Sequence, residues 1–215
     1  MIFRDRFEAA EELIPHLEKY KNDEGVILAI PRGGVQTGYV LAKHFKFPLE
    51  LLLTKKIGHP ASSELAIGAV SLENSLVDHH YGVPDSYVQE EIKRIRATLK
   101  ERTKKFMGDR QPVDLKNKTL ILVDDGIATG NTVLAAVQML KKKHLKKIVV
   151  AVPVAPPGTV MKIKRDVDDF ICLYTPDDFY GVGQYYEDFS EVPDEEVIRL
   201  LRDVNDQGKA ASAGS

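Results

Sequence analysis

The sequence predicts an α/β protein built on an open, mostly parallel sheet with flanking helices, and three observations carry that prediction. Strand-length apolar runs recur near residues 26, 49, 119, 148 and 170. Several of them, Val26 to Ile30 and Ile148 to Val152 above all, are apolar on consecutive residues, as strands buried on both faces are. Segments with helical spacing separate most of the runs, which makes the connections parallel crossovers. In such a sheet ligands lie beyond the carboxyl ends of the strands, where the strand order reverses. The loops that follow the strands are therefore where chemistry is expected.

In chain order, Phe7, Ala10, Ile14 and Leu17 space as one face of a first helix between Arg4 and Tyr20, with Pro15 expected to bend or split it. Gly25 opens the first buried strand, Pro31-Arg32-Gly33-Gly34 ends it, and Val35, Tyr39, Ala42 and Phe45 continue as a helix. Pro48 to Thr54 predicts a second strand running into Lys55-Lys56-Ile-Gly-His-Pro, and Gly58 to Ser63 is loose enough for a mobile loop. Leu65 to Leu72 and Leu76 to Asp78 predict a hairpin turning at Glu73, Asn74 and Ser75. Pro84-Asp85-Ser86 with Gln89 reads as a capping box for a long helix striped by Val88, Ile92, Ile95, Leu99 and Phe106. Thr119 to Val123 is the central strand, followed by a helix whose face is Val133, Ala136, Val137 and Leu140 and whose end gathers the cations Lys141 to Lys147. Pro156-Pro157 opens a helix before the last strand, Phe170 to Tyr174. Asp194 is expected to cap a final helix with Val197, Leu201 and Val204 inward.

The richest stretch is Thr119-Leu-Ile-Leu-Val-Asp124-Asp125-Gly-Ile-Ala-Thr129-Gly130-Asn-Thr132. Polarity changes abruptly at the two carboxylates. Gly126, Ala128, Thr129, Gly130, Asn131 and Thr132 then follow, small or hydroxylated residues whose backbone N–H groups can turn inward unobstructed. A helix starts directly after them, presenting unpaired donors and the positive dipole end to a phosphate, and the hydroxyls of Thr129 and Thr132 add donors. Two carboxylates repel a bare phosphate, so the ligand that fits carries something that wants acceptors, a ribose diol or a metal. A sugar phosphate meets both demands. An isolated pair of aspartates more often serves as turn and cap, but capping does not call for the Ala-Thr-Gly-x-Thr that follows. A nucleotide P-loop would need a lysine in Gly-x4-Gly-Lys-Ser/Thr, which is missing. A response-regulator reading leaves the threonines and glycine unexplained.

Two further loops bear on an anion. Gly33 and Gly34 let the backbone approach one closely while the Arg32 guanidinium reaches it with a forked pair of donors. Arg-Gly-Gly alone is commonly a plain turn; here it directly follows a buried strand. Lys55 and Lys56 are by default solvated surface at a strand end.

The stretch from Thr119 to Thr132 resembles the phosphoribosyl pyrophosphate (PRPP) signature of the type I phosphoribosyltransferases, with Gly126 and Asn131 at positions that family varies. Pro153-Val-Ala-Pro-Pro, Leu65-Ala-Ile-Gly-Ala-Val and the carboxyl-terminal part extend the similarity to an uncharacterised branch of that family over nearly the whole chain. The resemblance implies one type I phosphoribosyltransferase-like domain over residues 1–207, with a flexible loop and hairpin near 55–82 and a small hood near 175–205; the small, polar residues 208–215 read as a disordered tail. It implies that Asp124 and Asp125 meet the ribose 2′ and 3′ hydroxyls, and that Ala128, Thr129, Gly130, Asn131 and Thr132 wrap the 5′-phosphate, with Gly126 in the same PRPP-binding set. Arg32, Gly33 and Gly34 would hold the pyrophosphate, in a loop where the family often has a non-proline cis peptide. Lys56, and after it Lys55, would act on the departing pyrophosphate, making Lys56, Asp124 and Asp125 the catalytic residues.

Mg²⁺ is implied as cofactor, held through PRPP and water with no direct protein ligand. A small-molecule acceptor, commonly a base nitrogen, and pairing as a homodimer are implied as well. No His, Asp or Glu has a spacing that selects it as general base. Two other readings stay open on the same fold: a non-catalytic PRPP- or nucleotide-sensing regulator, and a PRPP-independent phosphorylase or hydrolase. Lys55, Lys56 and the loose stretch after them favour an enzyme, and the lack of a DNA-binding motif weakens the regulator.

Bulk composition is consistent with this. The 215 residues are 43% hydrophobic and 29% charged with a net charge of −2, which gives no general attraction to nucleic acid or membrane. The single cysteine, Cys172, cannot form an internal disulfide and lies in an apolar run, so a buried reduced thiol in a cytoplasmic protein is expected. Asp78, His79 and His80 suggest a metal site, but adjacent histidines point apart and no third ligand is spaced for zinc. Thr175 to Phe189 is aromatic without regular period, fitting either part of an acceptor pocket or core packing.

Overall fold

The structure of the protein, a computed structural model, describes residues 2–78 and 81–212; the side chains of residues 63–64 and 207–212 lie outside that description. His79 and His80, where the sequence suggests a metal site, are also outside it. Consecutive apolar residues produce the expected strands: β1 (Gly25–Ala29), β2 (Leu49–Leu51), β6 (Thr119–Val123), β7 (Lys147–Val154) and β8 (Asp169–Tyr174). They form a parallel sheet in the order β2-β1-β6-β7-β8. Side chains alternate between its faces. Ile27, Ala29, Ile121 and Val149 pack beneath α1 (Arg6–Leu17), α2 (Gly34–Phe45) and α6 (Asp194–Ser212). Leu28, Leu120, Leu122 and Val150 pack beneath α4 (Asn131–Leu140) and α5 (Pro157–Lys164).

From β1 the chain moves outward to β2, then returns to place β6, β7 and β8 on the other side of β1. The order therefore reverses between β1 and β6, the switch point where α/β sheets bind ligands. Ala29 pairs with Val123, the last residue of each strand, and Ile30 N–H donates to the Val123 carbonyl at 3.0 Å. The two loops that follow thus leave the sheet side by side.

A second, antiparallel sheet of β3 (Thr54–His59), β4 (Ser62–Ser71) and β5 (Ser75–Val77) stands apart. Ile57, Ile67 and Val70 bury against Val88, Ile92 and Ile95 of α3 (Asp85–Met107), and the Tyr87 hydroxyl donates to the Gly58 carbonyl at 2.9 Å. The expected hairpin is present, but its turn lies at residues 72–74 rather than 73–75, since Ser75 already pairs with Val70 in β5. The preceding segment differs: Gly58 to Ser63, expected as a loose loop, is a hairpin end with irregular register between Ile57 and His59. The second predicted strand divides for the same reason, since β2 stops at Leu51 and Thr54 joins the outer sheet.

Other local expectations are corrected as well. Pro15 stands on the exposed side of an uninterrupted α1, whose buried face is Ala9, Ala10, Leu13 and Leu17 with Phe7 and Ile14 at its margins. α3 starts one residue before Ser86, with Pro84 at the N-cap and no side-chain cap. Asp194 is the first helical residue of α6 rather than its cap; Glu196 and Val197 N–H groups donate to the Pro193 carbonyl. α6 continues to Ser212, into the segment expected as tail. Before it, a 3₁₀ turn at Val182–Tyr185 buries Tyr185 and Tyr186 on Phe3 and Val154.

Leu120 is fully buried at the centre of the sheet. Leu120→Ala is expected to destabilise the fold by about 2–5 kcal/mol, measured by urea denaturation.

Candidate functional site

At the carboxyl end of β6 the two carboxylates lie directly under the glycines that follow β1. A Cβ on Gly33 would stand 1.9 Å from Asp125 Oδ2, and one on Gly34 would stand 2.9 Å from Asp124 Cα and 3.0 Å from the Val123 carbonyl. Any side chain at either position would expel the acid below it, so glycine is required by close approach. Asp124 Oδ1 accepts the Asp125 N–H at 2.9 Å. Asp125 Oδ2 accepts Arg6 Nε at 2.7 Å, and the side chains of that pair are only 8% and 14% exposed. Arg6 also donates from Nη1 to the Ser190 carbonyl at 2.9 Å and lies 3.9 Å from the centre of the Phe189 ring. The Tyr186 hydroxyl donates to the Asp125 carbonyl at 2.6 Å.

Burial pushes both carboxyls above the ordinary range, Asp124 further because the Asp125 charge is beside it. For Asp125 the Arg6 guanidinium works in the opposite direction. Burial and the Asp125 charge raise the Tyr186 phenol too, so it remains a donor.

The loop from Gly126 to Thr132 is anchored from beneath and open above. A Cβ on Gly126 would meet Val182 Cγ1 at 2.5 Å, and the Ile127 N–H donates to the Val154 carbonyl at 2.9 Å. The Thr159 hydroxyl holds the Ala128 carbonyl at 2.6 Å, and Lys162 Nζ donates to Asn131 Oδ1 at 3.1 Å. Gly130 takes φ +74°, the left-handed conformation glycine favours, with Thr159 Cγ2 2.8 Å from where a Cβ would be. Ala128, Thr129, Asn131 and Thr132 are exposed, and no side chain caps the start of α4. The hydroxyls and the helix N-terminus thus face solvent at the sheet's carboxyl edge.

Arg32 follows a cis Pro31–Arg32 peptide beside these groups, but its guanidinium is turned to the carboxyl-terminal segment. Nη2 pairs with Glu191, and Nη1 lies 3.5 Å from Asp194, which also takes Lys105 Nζ at 2.6 Å. Lys55 and Lys56 are exposed on β3, in register with Val70 and Ala69 of the outer sheet and not on the parallel one. Successive strand residues face opposite ways. Lys55 shares its face with buried Ile57, and its charge bears on Glu91 of α3; Lys56 faces away from α3.

The aromatic segment divides into core and surface. Tyr185 and Tyr186 are buried, Tyr180 is 91% exposed, and Gln184 is engaged locally, donating to the Asp178 carbonyl and accepting the Tyr180 N–H. Cys172 is half-buried, with burial raising its thiol. A cavity of about 390 Å³ lies away from the acid pair, between Leu28, Leu53, Met107 and Leu140. Its polar centre is the Glu50–Arg110 ion pair at 2.7 Å, already satisfied and without a phosphate-type loop. Sequence reasoning did not find Arg6, Tyr186, Glu191 or the pairing of Asp194 with Arg32, all of which are joined to the site by long-range contacts alone.

A parallel sheet that reverses order between a glycine loop and a buried acid pair is the architecture of the type I phosphoribosyltransferases. The chain belongs to the phosphoribosyl transferase domain family, whose model matches residues 5–190. Rv0571c of Mycobacterium tuberculosis, provisionally named a phosphoribosyl transferase, is 34% identical over 205 residues, 93% of this chain and 46% of that protein. The chain thus spans about half the length of the curated relatives it matches. TT1426 from Thermus thermophilus is structurally similar with a TM-score of 0.85 at 35% identity, covering 94% of this chain and 99% of that one. A 65-residue stretch, 29% of this chain, is 39% identical to 23% of the ribose-phosphate pyrophosphokinase of Thermococcus kodakarensis. Among the described residues, no helix is long and apolar enough to cross a membrane.

An acid whose pKa is raised in the folded state binds its proton more readily there than when unfolded. Its charge therefore weakens the fold above the raised pKa and has no effect below the ordinary carboxylate value of about 3.9. Asp124→Asn, which keeps the acceptor for the Asp125 N–H, is expected to raise the Tm of the ligand-free protein at pH 7 by on the order of 2–4 °C. Calorimetry across pH checks this: the gain shrinks as the pH falls toward about 4.

Proposed function

We propose that this chain transfers a 5-phosphoribosyl group from PRPP to a nitrogenous acceptor, most simply a base nitrogen, and releases pyrophosphate. The observation that carries the reading is the buried Asp124–Asp125 pair set directly before an uncapped helix start lined by Thr129 and Thr132. A 5′-phosphate suits the N–H groups and hydroxyls of Ala128 to Thr132, with Gly126 letting the loop pack closely on Val182. The ribose hydroxyls suit the carboxylates, which accept from them without competing for the phosphate. Family membership and the short similarity to a ribose-phosphate pyrophosphokinase support the same class of ligand.

In the reaction the anomeric C1–O bond breaks while a bond forms from the acceptor nitrogen to C1. Positive charge develops on the ribose ring and negative charge on the departing pyrophosphate. Gly33 and Gly34 bring backbone to the crevice, and Arg32 supplies a forked donor once the pyrophosphate displaces Glu191 and Asp194 from it. Lys56 is preferred over Lys55 as the second cation because it projects from the face of β3 opposite α3. Mg²⁺ supplies neutralisation of the diphosphate charge. With Asp125 already paired with Arg6, the acid pair offers no cage of protein oxygens, which suits an ion that would be held through the diphosphate and water with no direct protein ligand.

The direct test incubates the protein with PRPP, Mg²⁺ and a panel of purine and pyrimidine bases, following pyrophosphate and new nucleotide. Release of both is expected, and Asp124→Asn with Asp125→Asn is expected to reduce turnover by at least about a hundredfold, the scale of losing a preorganised polar contact. Normal pyrophosphate release from that double variant would refute the assignment. Binding of PRPP without either product points instead to a sensor on the same fold.

A further inference from the structure

Arg6 is a buried cation that the transfer scheme does not use. Its guanidinium is held on three sides, by Asp125 Oδ2 at 2.7 Å, by the Ser190 carbonyl at 2.9 Å and by the Phe189 ring at 3.9 Å, and these contacts fix its orientation. Asp125 is fixed in return. Its Oδ2 is bounded by Arg6 and by the Gly33 backbone, and its carbonyl is held by the Tyr186 hydroxyl. No element of the PRPP signature contains Arg6, which lies 119 residues before its partner, at the start of α1.

We infer that Arg6 is a positioning residue for the sugar site: it orients Asp125 through Oδ2 so that the carboxyl is presented to a ribose hydroxyl. The inference rests on the PRPP reading above and deepens it by naming what makes the acid pair competent. The charged and titratable groups facing Asp125 are Arg6 from α1, Asp124 beside it and Tyr186 from the carboxyl-terminal segment, and the charge of Asp188 bears on Arg6. Burial favours a protonated carboxyl, and Arg6 is the cation that opposes it. A protonated Asp125 would lose half of its accepting capacity toward a diol.

Isothermal titration of PRPP with Mg²⁺ into wild type, Arg6→Gln and Arg6→Lys between pH 5.5 and 8.5 provides the test. Arg6→Gln is expected to weaken binding at pH 7 by about tenfold or more, with tenfold equal to about 1.4 kcal/mol. Its acid limb is also expected to lie at higher pH than in wild type. Arg6→Lys returns the limb toward wild type without full affinity, because an ammonium lacks the fork that spans Asp125 and Ser190. Coincident affinities and pH profiles in all three proteins would overturn the inference. A thermal melt shows whether each variant is folded; if Arg6→Gln is not, wild-type affinity in Arg6→Lys overturns the inference and a loss supports it.

A ligand-free measurement separates this inference from the PRPP reading. The Asp125 carboxyl resonance in a ¹³C titration, assigned by its disappearance in Asp125→Asn, is expected to move its midpoint upward in Arg6→Gln. An unmoved midpoint overturns the role of Arg6 even if PRPP binds. Absence of PRPP binding to wild type refutes the functional reading, while the carboxyl titration still decides whether Arg6 governs Asp125.

Discussion

The site depends on one close approach, that of the backbone after β1 to the acids at the end of β6. Parallel pairing of the two strands to their last residues sets the level, and glycine at 33 and 34 removes the atoms that would hold the layers apart. The carboxylates are consequently covered by polypeptide on one side and meet the crevice on the other. Backbone shape, more than any single side chain, makes an acidic floor beside a phosphate-type loop.

That arrangement works against stability. Two adjacent carboxyls withdrawn from water strain toward neutrality, and the fold answers with a cation from α1, while a phenol from the carboxyl-terminal segment holds the Asp125 backbone carbonyl. Residues 186–194 touch every part of this compensation: Tyr186 on the Asp125 backbone, Phe189 and Ser190 on Arg6, Glu191 and Asp194 on Arg32. The segment thus behaves as a strap across the two loops, linking the acid floor to the arginine of the neighbouring loop.

Most of the scaffold was legible because its signals are local. Thr119 to Val123 and Ile148 to Val152 announce buried strands by consecutive apolar residues, and the Val88-to-Phe106 stripe announces α3 by its period. The two loops at the switch point were legible because glycine and acid clusters directly follow strands. Arg6 was not, since an arginine in the first turn of an amphipathic helix looks like solvated surface and its partner is 119 residues away. Gly58 to Ser63 misled because glycine, proline and serine mark hairpin ends as readily as loose loops; burial of Ile57 and Ile67 on α3 decides between them. Asp194 misled because a helix-start aspartate normally caps, whereas here two cations claim it.

The outer sheet carries a consequence of a different kind. Among the described residues, β3, β4 and β5 hang on α3 through Ile57, Ile67 and Val70 and share no ladder with the parallel strands. Exchanges on their outward face, Lys56 apart, therefore leave the ladders beneath the crevice as they are.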